Sequence, residues 1–297
     1  MQLSIITINR NDAKGLKKTL ESVMNQTGVE DLEIEHVIVD GASTDESVPV
    51  LRRIGGEAEG LKGEGVYANG IHYRWISEPD KGIYNAMNKG IRMATGEYIE
   101  ILNSADMLAA PDVCVRMLTH LQRLKGGKAE RQRGGEVEIL YGNMIKQWPD
   151  GRTYCDRCES GGLTMLSFYH GTLNHDPAYI KKSLFDKFGY YDESLKIVSD
   201  WAWYLRAIPL GGVEPIYVNI DVTIFDMTGV SESNTKLWPI ERRPILEREV
   251  PRMILADYDK YAFDMRMMDR IRKHHMYKLV YFIERVLFKL EKWHILR

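Results

Sequence analysis

Cysteine is scarce in this chain, with three residues, Cys114, Cys155 and Cys158, among 297. That is too few for a disulfide framework and fits a reducing compartment. Cys155-Asp156-Arg157-Cys158 has the spacing of half a zinc or redox site, but no second cysteine pair exists and no short-spaced histidine pair stands in register with it. Nor does it open a helix after a strand, as a thioredoxin-type motif does. The two cysteines read as ordinary residues of a strand or hairpin. Long apolar runs are missing as well: no stretch approaches the roughly 18 consecutive apolar residues of a membrane-spanning helix. Net charge is almost absent, 40 Lys and Arg against 42 Asp and Glu, so nothing global points to nucleic acid. Met1-Gln2 leads straight into a strand pattern, which predicts no signal peptide and a cytoplasmic protein. There are no internal repeats. No G-x-x-x-x-G-K-S/T loop occurs and the first strand is not followed by G-x-G-x-x-G, which excludes the commonest ATPase and dinucleotide-binding readings.

What remains is ordinary soluble composition, 44% hydrophobic and 28% charged, in a chain long enough for one large α/β domain or a domain plus an appendage. Leu3 to Ile8 is a short β-branched run, and Asn9-Arg10-Asn11-Asp12 is a loop and helix cap before Leu16, Leu20, Val23 and Met24 on one helical face. Ile34 to Val39 is a second strand, stopped by Asp40-Gly41-Ala42-Ser43-Thr44-Asp45 and followed by a short helix with Val48, Leu51 and Ile54 inward. Gly55 to Gly70 holds six glycines and reads as a loop or hairpin excursion. Ile71 to Ile76 is a third strand, Gly82 to Ala94 a helix, and Gly96 to Asp106 a fourth strand ending in small polar residues. This βαβαβαβ order predicts a mostly parallel central sheet with helices on both faces.

Beyond Asp106 an amphipathic helix starts at Pro111-Asp112, and Gly126 to Gly135 reads as a basic, glycine-rich loop. Glu138 to Cys158 reads as strands joined by a Pro149-Asp150-Gly151 turn. Ser183-Leu184-Phe185-Asp186 has the form of a capping box. A helix around Trp201 to Ile208 and a strand from Ile216 to Phe225 follow, then weakly helical segments interrupted by Pro244 and Pro251.

Three carboxylates recur at strand ends. Asp40 ends the second strand, Asp80 follows the third and Asp106 the fourth. In a parallel sheet all three converge on the carboxyl rim, where α/β sheets collect ligands. One such aspartate is usually a turn or a cap; three in consecutive units are harder to explain that way. Rim carboxylates suit hydrogen bonding to a base or ribose, or holding a hard divalent cation that bridges phosphates.

These residues carry a resemblance. Leu3 to Asn9, Val39 to Asp45, Ser77-Glu78-Pro79-Asp80-Lys81-Gly82-Ile83-Tyr84-Asn85-Ala86-Met87-Asn88-Lys89-Gly90, and Ala94 to Asp106 look like the family-2 glycosyltransferases, most of all the bacterial branch that builds colanic acid and other surface polysaccharides. The resemblance covers residues 1–115 and resumes from Asn174 to Ser231. It implies a GT-A fold and inverting transfer from a nucleotide-diphosphate sugar, with a UDP-sugar the expected donor type. Asp40 is expected to contact the base or ribose, with Thr7 and Asn9 lining the same pocket. Asp80 is expected beside the base, Lys81 near the nucleotide, and Asn103 and Ser104 on the donor side of the turn. Asp106 is expected to hold Mn²⁺ or Mg²⁺. Many relatives read Leu-Asn-Ser-Asp-Asp where this chain has Leu102-Asn103-Ser104-Ala105-Asp106, so Ala105 removes one carboxylate.

Ser199-Asp200-Trp201 reads either as an N-cap pair or, by the resemblance, as the seat of the general base, Asp200, which accepts the acceptor hydroxyl proton. His175, within Asn174-His175-Asp176, is a candidate contact to acceptor or phosphate, weighed against the commoner structural hydrogen-bonding histidine. Gly229-Val230-Ser231 resembles a family segment and is expected to close over the donor or to order the loop before the tail. From Met265 to Arg297 there are nine Lys or Arg against three Asp or Glu. Met276, Leu279, Val280, Ile283, Val286, Leu287 and Leu290 share one helical face there, with Lys278, Arg285, Lys289 and Lys292 opposite and Trp293 beyond. Such a tail either packs on the catalytic domain or docks residues 277–297 on an anionic inner-membrane face near a lipid-linked acceptor.

The reading is a GT-A catalytic domain at 1–231, with a nucleotide-sugar half at 1–115 and an acceptor half at 116–231, and a helical extension at 232–297. It acts on a glycan or lipid-linked oligosaccharide. The alternative is a non-catalytic nucleotide-sugar-binding partner of another transferase, which has no need of a carboxylate at Asp200.

Overall fold

A computed structural model describes residues 2–54, 57–125, 136–157, 163–229, 234–273 and 277–292. Cys158, the loop at 126–135, Val230, Ser231, Met276 and Trp293 lie outside the described residues. The chain forms two compact units, Met1–Ile245 and Leu246–Arg297.

The first unit is built on one sheet. Its strands are β1 (Leu3–Asn9), β2 (Ile34–Asp40), β3 (Glu57–Glu59), β4 (Lys62–Val66), β5 (His72–Ser77) and β6 (Tyr98–Ile101), then β7 (Met107–Leu108), β8 (Ile139–Gln147), β9 (Thr153–Asp156), β10 (Ala178–Lys181) and β11 (Ile216–Asp226). The order across the sheet is β3-β4-β5-β2-β1-β6-β10-β8-β11-β7, with β9 paired to β8. The centre is parallel: β5, β2, β1 and β6 run the same way. β1 and β2 are buried at every position, as expected of parallel strands covered on both faces.

The covering helices follow the predicted apolar stripes. Leu16, Leu20 and Val23 of α1 (Ala13–Met24) and Met117, Leu118 and Leu121 of α4 (Val113–Lys125) join Leu3, Ile5, Ile34 and Ile38 in one core. Leu51 of α2 (Ser47–Arg53) is buried with them. On the other face α3 (Ile83–Met93) lies so close to β1 that a Cβ on Gly90 would fall 2.4 Å from Ile6 Cγ2. Any side chain there would push the helix off the sheet. Asp12 caps α1, its carboxylate accepting from Gly15 N at 2.9 Å.

The glycine-rich excursion is the β3–β4 hairpin, extending the edge antiparallel to β5. Pro149-Asp150-Gly151 joins β8 to β9, and Cys155 is a residue of β9, as read. Two elements depart from expectation. Ser183 is the first residue of α6 (Ser183–Phe188) rather than its cap, and Lys182 at the cap position gives the helix no side-chain capping bond. The reciprocal capping box instead opens α5 (Met165–His170), between Thr164 and Ser167. α7 spans Ser199–Ala207.

α8 (Leu237–Glu249) carries Pro244 inside it, and the division between the units falls one residue beyond. The second unit continues into α9 (Arg252–Lys273) and α10 (Tyr277–Lys292). In α10, Leu279, Val280, Phe282, Ile283, Val286 and Leu287 are all exposed, Phe282 at 65%. No helix among the described residues is long and apolar enough to cross a membrane.

Candidate active site

Register brings the carboxyl ends of β1, β2 and β5 level: Asn9 pairs with Asp40, and Asp40 with Ser77. The three side chains therefore meet. Asp40 accepts from Asn9 Nδ2 at 2.7 Å, Ser43 N at 2.9 Å, Ser43 Oγ at 2.5 Å and Ser77 Oγ at 2.6 Å. Asn9 Oδ1 in turn accepts from Ser104 Oγ at 2.9 Å. Asp40 has no accessible surface, and four donors fill the lone-pair directions of a carboxylate. Direct contact with a base therefore requires a donor to leave, and the Ser43 hydroxyl is the one on a loop. Thr7 is also fully buried, bonded through Oγ1 to His36 Nε2 at 2.8 Å. It faces the interior and does not line the rim pocket, contrary to expectation. Burial pushes the His36 imidazole down to about 3, so it is neutral.

Asp80 lies beside this floor, its side chain 5% exposed. Its carboxylate accepts from Gly82 N at 2.9 Å and lies 3.5 Å from an Arg10 guanidinium nitrogen. A Cβ on Gly41 would fall 2.0 Å from Asp80 Oδ2, so only glycine leaves room for that approach. Lys81 is exposed beside it.

A second cluster forms where β6 ends. Ala105 adopts φ +76°, a left-handed turn that L side chains rarely take. The turn is anchored by the Thr19 hydroxyl, which donates to the Asp106 carbonyl at 2.7 Å. Asp106 is 3% exposed, and one carboxylate oxygen accepts from Asp226 N at 2.8 Å. Its carboxyl group is also hydrogen-bonded to that of Asp176. Burial, then the adjacent charge of Asp176, holds the Asp106 carboxyl well above the usual carboxylate range, and burial raises the Asp176 carboxyl as well.

His175 continues the chain of contacts. Its Nδ1 lies 3.3 Å from Asp200 Oδ2, and its Nε2 lies 3.5 Å from Asp176 Oδ1 and 3.2 Å from Asn103 Nδ2. Burial alone would lower its proton affinity. The charge of Asp176 and the hydrogen bond and charge of Asp200 outweigh burial and push it up to about 9, so it is an imidazolium at neutral pH. Asn103 Oδ1 is buried without a partner. Turning that amide over sets its oxygen on the Nε2–H and satisfies both groups.

Asp200 stands at the start of α7, but neither it nor Ser199 caps the helix through its side chain. Ser199 Oγ instead accepts from Asp192 N at 2.5 Å. Asp200 accepts from the Tyr84 hydroxyl at 2.9 Å and faces His175. Burial alone would raise its pKa, but His175 and Tyr84 together hold it below the usual carboxylate range. The N-cap reading of Ser199-Asp200 therefore does not describe this site.

Sequence reasoning passed over Tyr84, Asp176 and Arg10. Tyr84 was legible as part of the 77–90 motif, and the geometry explains that motif's length. Asn88 Nδ2 donates to Tyr191 O at 2.9 Å and to Glu193 at 2.8 Å, while its Oδ1 accepts from Tyr191 N. Asn85 reaches Glu193 at 2.7 Å. One face of α3 thus fastens the segment that precedes Asp200, and Tyr84 then touches Asp200 itself.

The model of the family described as Glycosyl transferase family 2 matches residues 4–176. An uncharacterized glycosyltransferase of Mycobacterium tuberculosis is 30% identical over 282 residues, covering 91% of this chain and 95% of that protein. A PGL/p-HBAD biosynthesis glycosyltransferase of Mycobacterium bovis is 24% identical over 258 residues, covering 85% and 88%. Among solved structures, S. aureus TarS in complex with UDP-GlcNAc superposes with a TM-score of 0.58 at 18% identity, covering 79% of this chain and 61% of that one. A mannosyltransferase from Pyrobaculum calidifontis in complex with GDP-Man and Mn²⁺ superposes with a TM-score of 0.51 at 18% identity, covering 81% and 60%. This chain thus spans about three fifths of those two structures.

Proposed function

The chain belongs to glycosyl transferase family 2 and is a glycosyltransferase of GT-A fold, and from that premise we propose that it performs inverting transfer from a nucleotide-diphosphate sugar, with Asp200 as the base. The observation that carries the proposal is the unbroken line Tyr84–Asp200–His175–Asp176–Asp106 at the carboxyl rim. An ionised carboxylate, two hydrogen-bonded neighbours and a buried acidic turn there supply a proton acceptor beside a seat for the leaving diphosphate.

In the proposed step an acceptor hydroxyl oxygen attacks the anomeric carbon as the carbon–oxygen bond to the diphosphate breaks. The electron pair leaves on the diphosphate, and the hydroxyl proton passes to Asp200. Tyr84 and His175 hold Asp200 ionised and aimed. We assign the nucleotide end to Asp80, Lys81 and Arg10, over a floor of Asn9 and Asp40, where Asp40 reaches the nucleotide by exchanging the Ser43 hydroxyl. Asn103 and Ser104 border the sugar-diphosphate side.

Family membership and the Mn²⁺ complex of a structural neighbour support divalent-metal dependence. The donors at the turn fit such an ion: Asp106 is a buried carboxyl just beyond the end of β6, and hard divalent cations take carboxylate oxygens. Among the described residues no group of three or more His, Cys, Asp or Glu could hold a metal by itself, so diphosphate and water oxygens have to complete the shell. Asp106 would hold Mn²⁺ or Mg²⁺, which when bound neutralises charge on the leaving group.

We assign residues 1–231 as the catalytic domain, 1–115 for the donor and 116–231 for the acceptor, with a helical extension from 232. The start of that extension serves the site: Glu241 accepts from Lys196 N and Ile197 N, on the segment leading to Asp200. The acceptor we propose is a glycan or lipid-linked oligosaccharide of the cell surface, and the donor a UDP-sugar. The protein works in the cytoplasm, with α10 on the anionic inner-membrane face. The exposed apolar arc of α10, bordered by Lys278, Arg285 and Lys289, is what such a surface accommodates.

The test is Asp200→Asn. Donor binding, followed by calorimetry with UDP and Mn²⁺, should stay within about twofold, while kcat for transfer should fall about 10²- to 10⁴-fold. Undiminished transfer would remove Asp200 from the mechanism.

A further inference from the structure

Ala105 leaves Asp106 as the only carboxylate of its turn, yet a second one faces it from another strand. β10 runs antiparallel to β6 with Ile180 opposite Ile99 and Lys181 opposite Tyr98. Carried onward, that register sets Asp176 opposite Asn103, at the mouth of the Asp106 turn. Asp176 is 2% exposed, and its carboxyl group meets that of Asp106 directly. Its Oδ1 is buried with no hydrogen-bond partner, and His175 Nε2 lies 3.5 Å from it.

Two buried carboxyl groups in contact are costly without a shared proton or a cation. The surroundings are poor in positive charge. Asp106, Asp176, Asp200 and the nearby Asp226 have the His175 imidazole among them, with the Arg242 guanidinium acting on Asp200 and Lys18, itself 41% exposed, 3.7 Å from Asp226. Octahedral divalent ions at phosphate-transfer sites are commonly held by one or two carboxylates plus phosphate oxygens and water.

We infer that Asp176 is the second protein ligand of the donor-site divalent cation, supplying from β10 the carboxylate that the Asn103–Asp106 turn lacks. The inference rests on the cation-bearing donor site proposed above and adds to it a residue outside the turn. Asp106 and Asp176 would each give an oxygen to the ion, and the bound diphosphate the rest. Asp176 also touches His175, so the ligand shell and the proton-accepting carboxylate share one neighbour.

The rival explanation is that Asp176 only orients His175. Binding of Mn²⁺ separates the two without any turnover. The full chain is titrated with MnCl₂ in the presence of saturating UDP, and free Mn²⁺ is read by electron paramagnetic resonance. Circular dichroism of every variant guards against unfolding. Asp176→Asn should weaken Mn²⁺ at least about tenfold, as Asp106→Asn does, while His175→Gln, which removes only the neighbour, should change it less than about threefold. Should Asp176→Asn not fold, Asp176→Ser is read in the same way. A folded Asp176 variant with native Mn²⁺ affinity, beside an Asp106→Asn variant that has lost it, overturns the inference and leaves the donor site intact. Failure of the native chain to take up Mn²⁺ with UDP would instead overturn the cation-bearing site itself.

Discussion

The ion-pair chemistry of His175 makes a prediction that can be read from stability alone. In the folded, metal-free chain the imidazole is pushed up to about 9 by Asp176 and Asp200, against about 6.5 in the unfolded chain. A group whose pKa is raised on folding stabilises fully below its unfolded value and loses that contribution as pH climbs through the folded one. From these two values, the contribution is about 2.5 kcal/mol at pH 7 and about 0.4 kcal/mol at pH 9, a loss of about 2 kcal/mol. Other groups titrate in that interval, so the measurement is a difference. Urea unfolding of the native chain and of His175→Gln, both in a chelator, is compared at pH 6, 7, 8 and 9. The packing cost of the substitution is independent of pH and drops out of the slope. The stability advantage of the native chain should shrink by about 2 kcal/mol between pH 7 and pH 9. A difference that stays flat within about 0.5 kcal/mol would mean that His175 is neutral in the folded protein and that the Asp176–His175–Asp200 line is not an ionic one.

Asn88→Ala strips the Tyr191 amide and carbonyl of their partners in a buried place. It should cost about 2–3 kcal/mol in urea unfolding, and a change under about 0.5 kcal/mol would deny α3 its fastening role. Removing residues 277–297 should abolish sedimentation with vesicles containing anionic lipid while leaving the melting of the rest unchanged. A truncated protein that turns insoluble instead would mean that α10 is a packed structural helix.

Much of the fold was legible because its logic is local. The βαβαβαβ alternation, the burial of β1 and β2 and the apolar stripes of α1, α3 and α4 each follow from periodicity within a dozen residues. β10 was not read because four residues, Ala178–Lys181, carry too little pattern to declare a strand. The misread at Ser183 has a similar origin: a serine followed three residues later by an acid fits a capping box in sequence, but the backbone turns helical one residue earlier than that requires.

The site divides along the same line. That Asp40, Asp80 and Asp106 stand at strand ends could be seen from the chain. What each does depends on partners dozens of residues away: Asn9 and Ser77 lie 31 and 37 positions from Asp40, and both donate to its buried carboxylate. Asp176 was visible in Asn174-His175-Asp176 and had no role, because its neighbour Asp106 is brought to it only by the antiparallel pairing of β10 with β6. His175 was weighed chiefly as a structural hydrogen-bonder. Its two flanking carboxylates make it structural and electrostatic at once.

The same arrangement bears on how a weak base could serve. Asp200 is held below the ordinary carboxylate range, which at first argues against a proton acceptor, since an unreacted hydroxyl is a far weaker acid than any carboxyl group. Proton transfer in glycosyl transfer need not precede attack, however. As the acceptor oxygen bonds to the anomeric carbon it gains positive charge, and its proton becomes acidic by many orders of magnitude. What the base must supply is then position and negative charge along the reaction path. An ionised carboxylate pinned between the Tyr84 hydroxyl and the His175 imidazolium supplies both. Raising its basicity by removing either neighbour would make it a better acceptor on paper and a more mobile one in fact. Orientation is the scarcer quantity in a site where the hydroxyl, the anomeric carbon and the carboxylate must align. On that ground Tyr84 and His175 are as necessary to the proposed step as the carboxylate they hold.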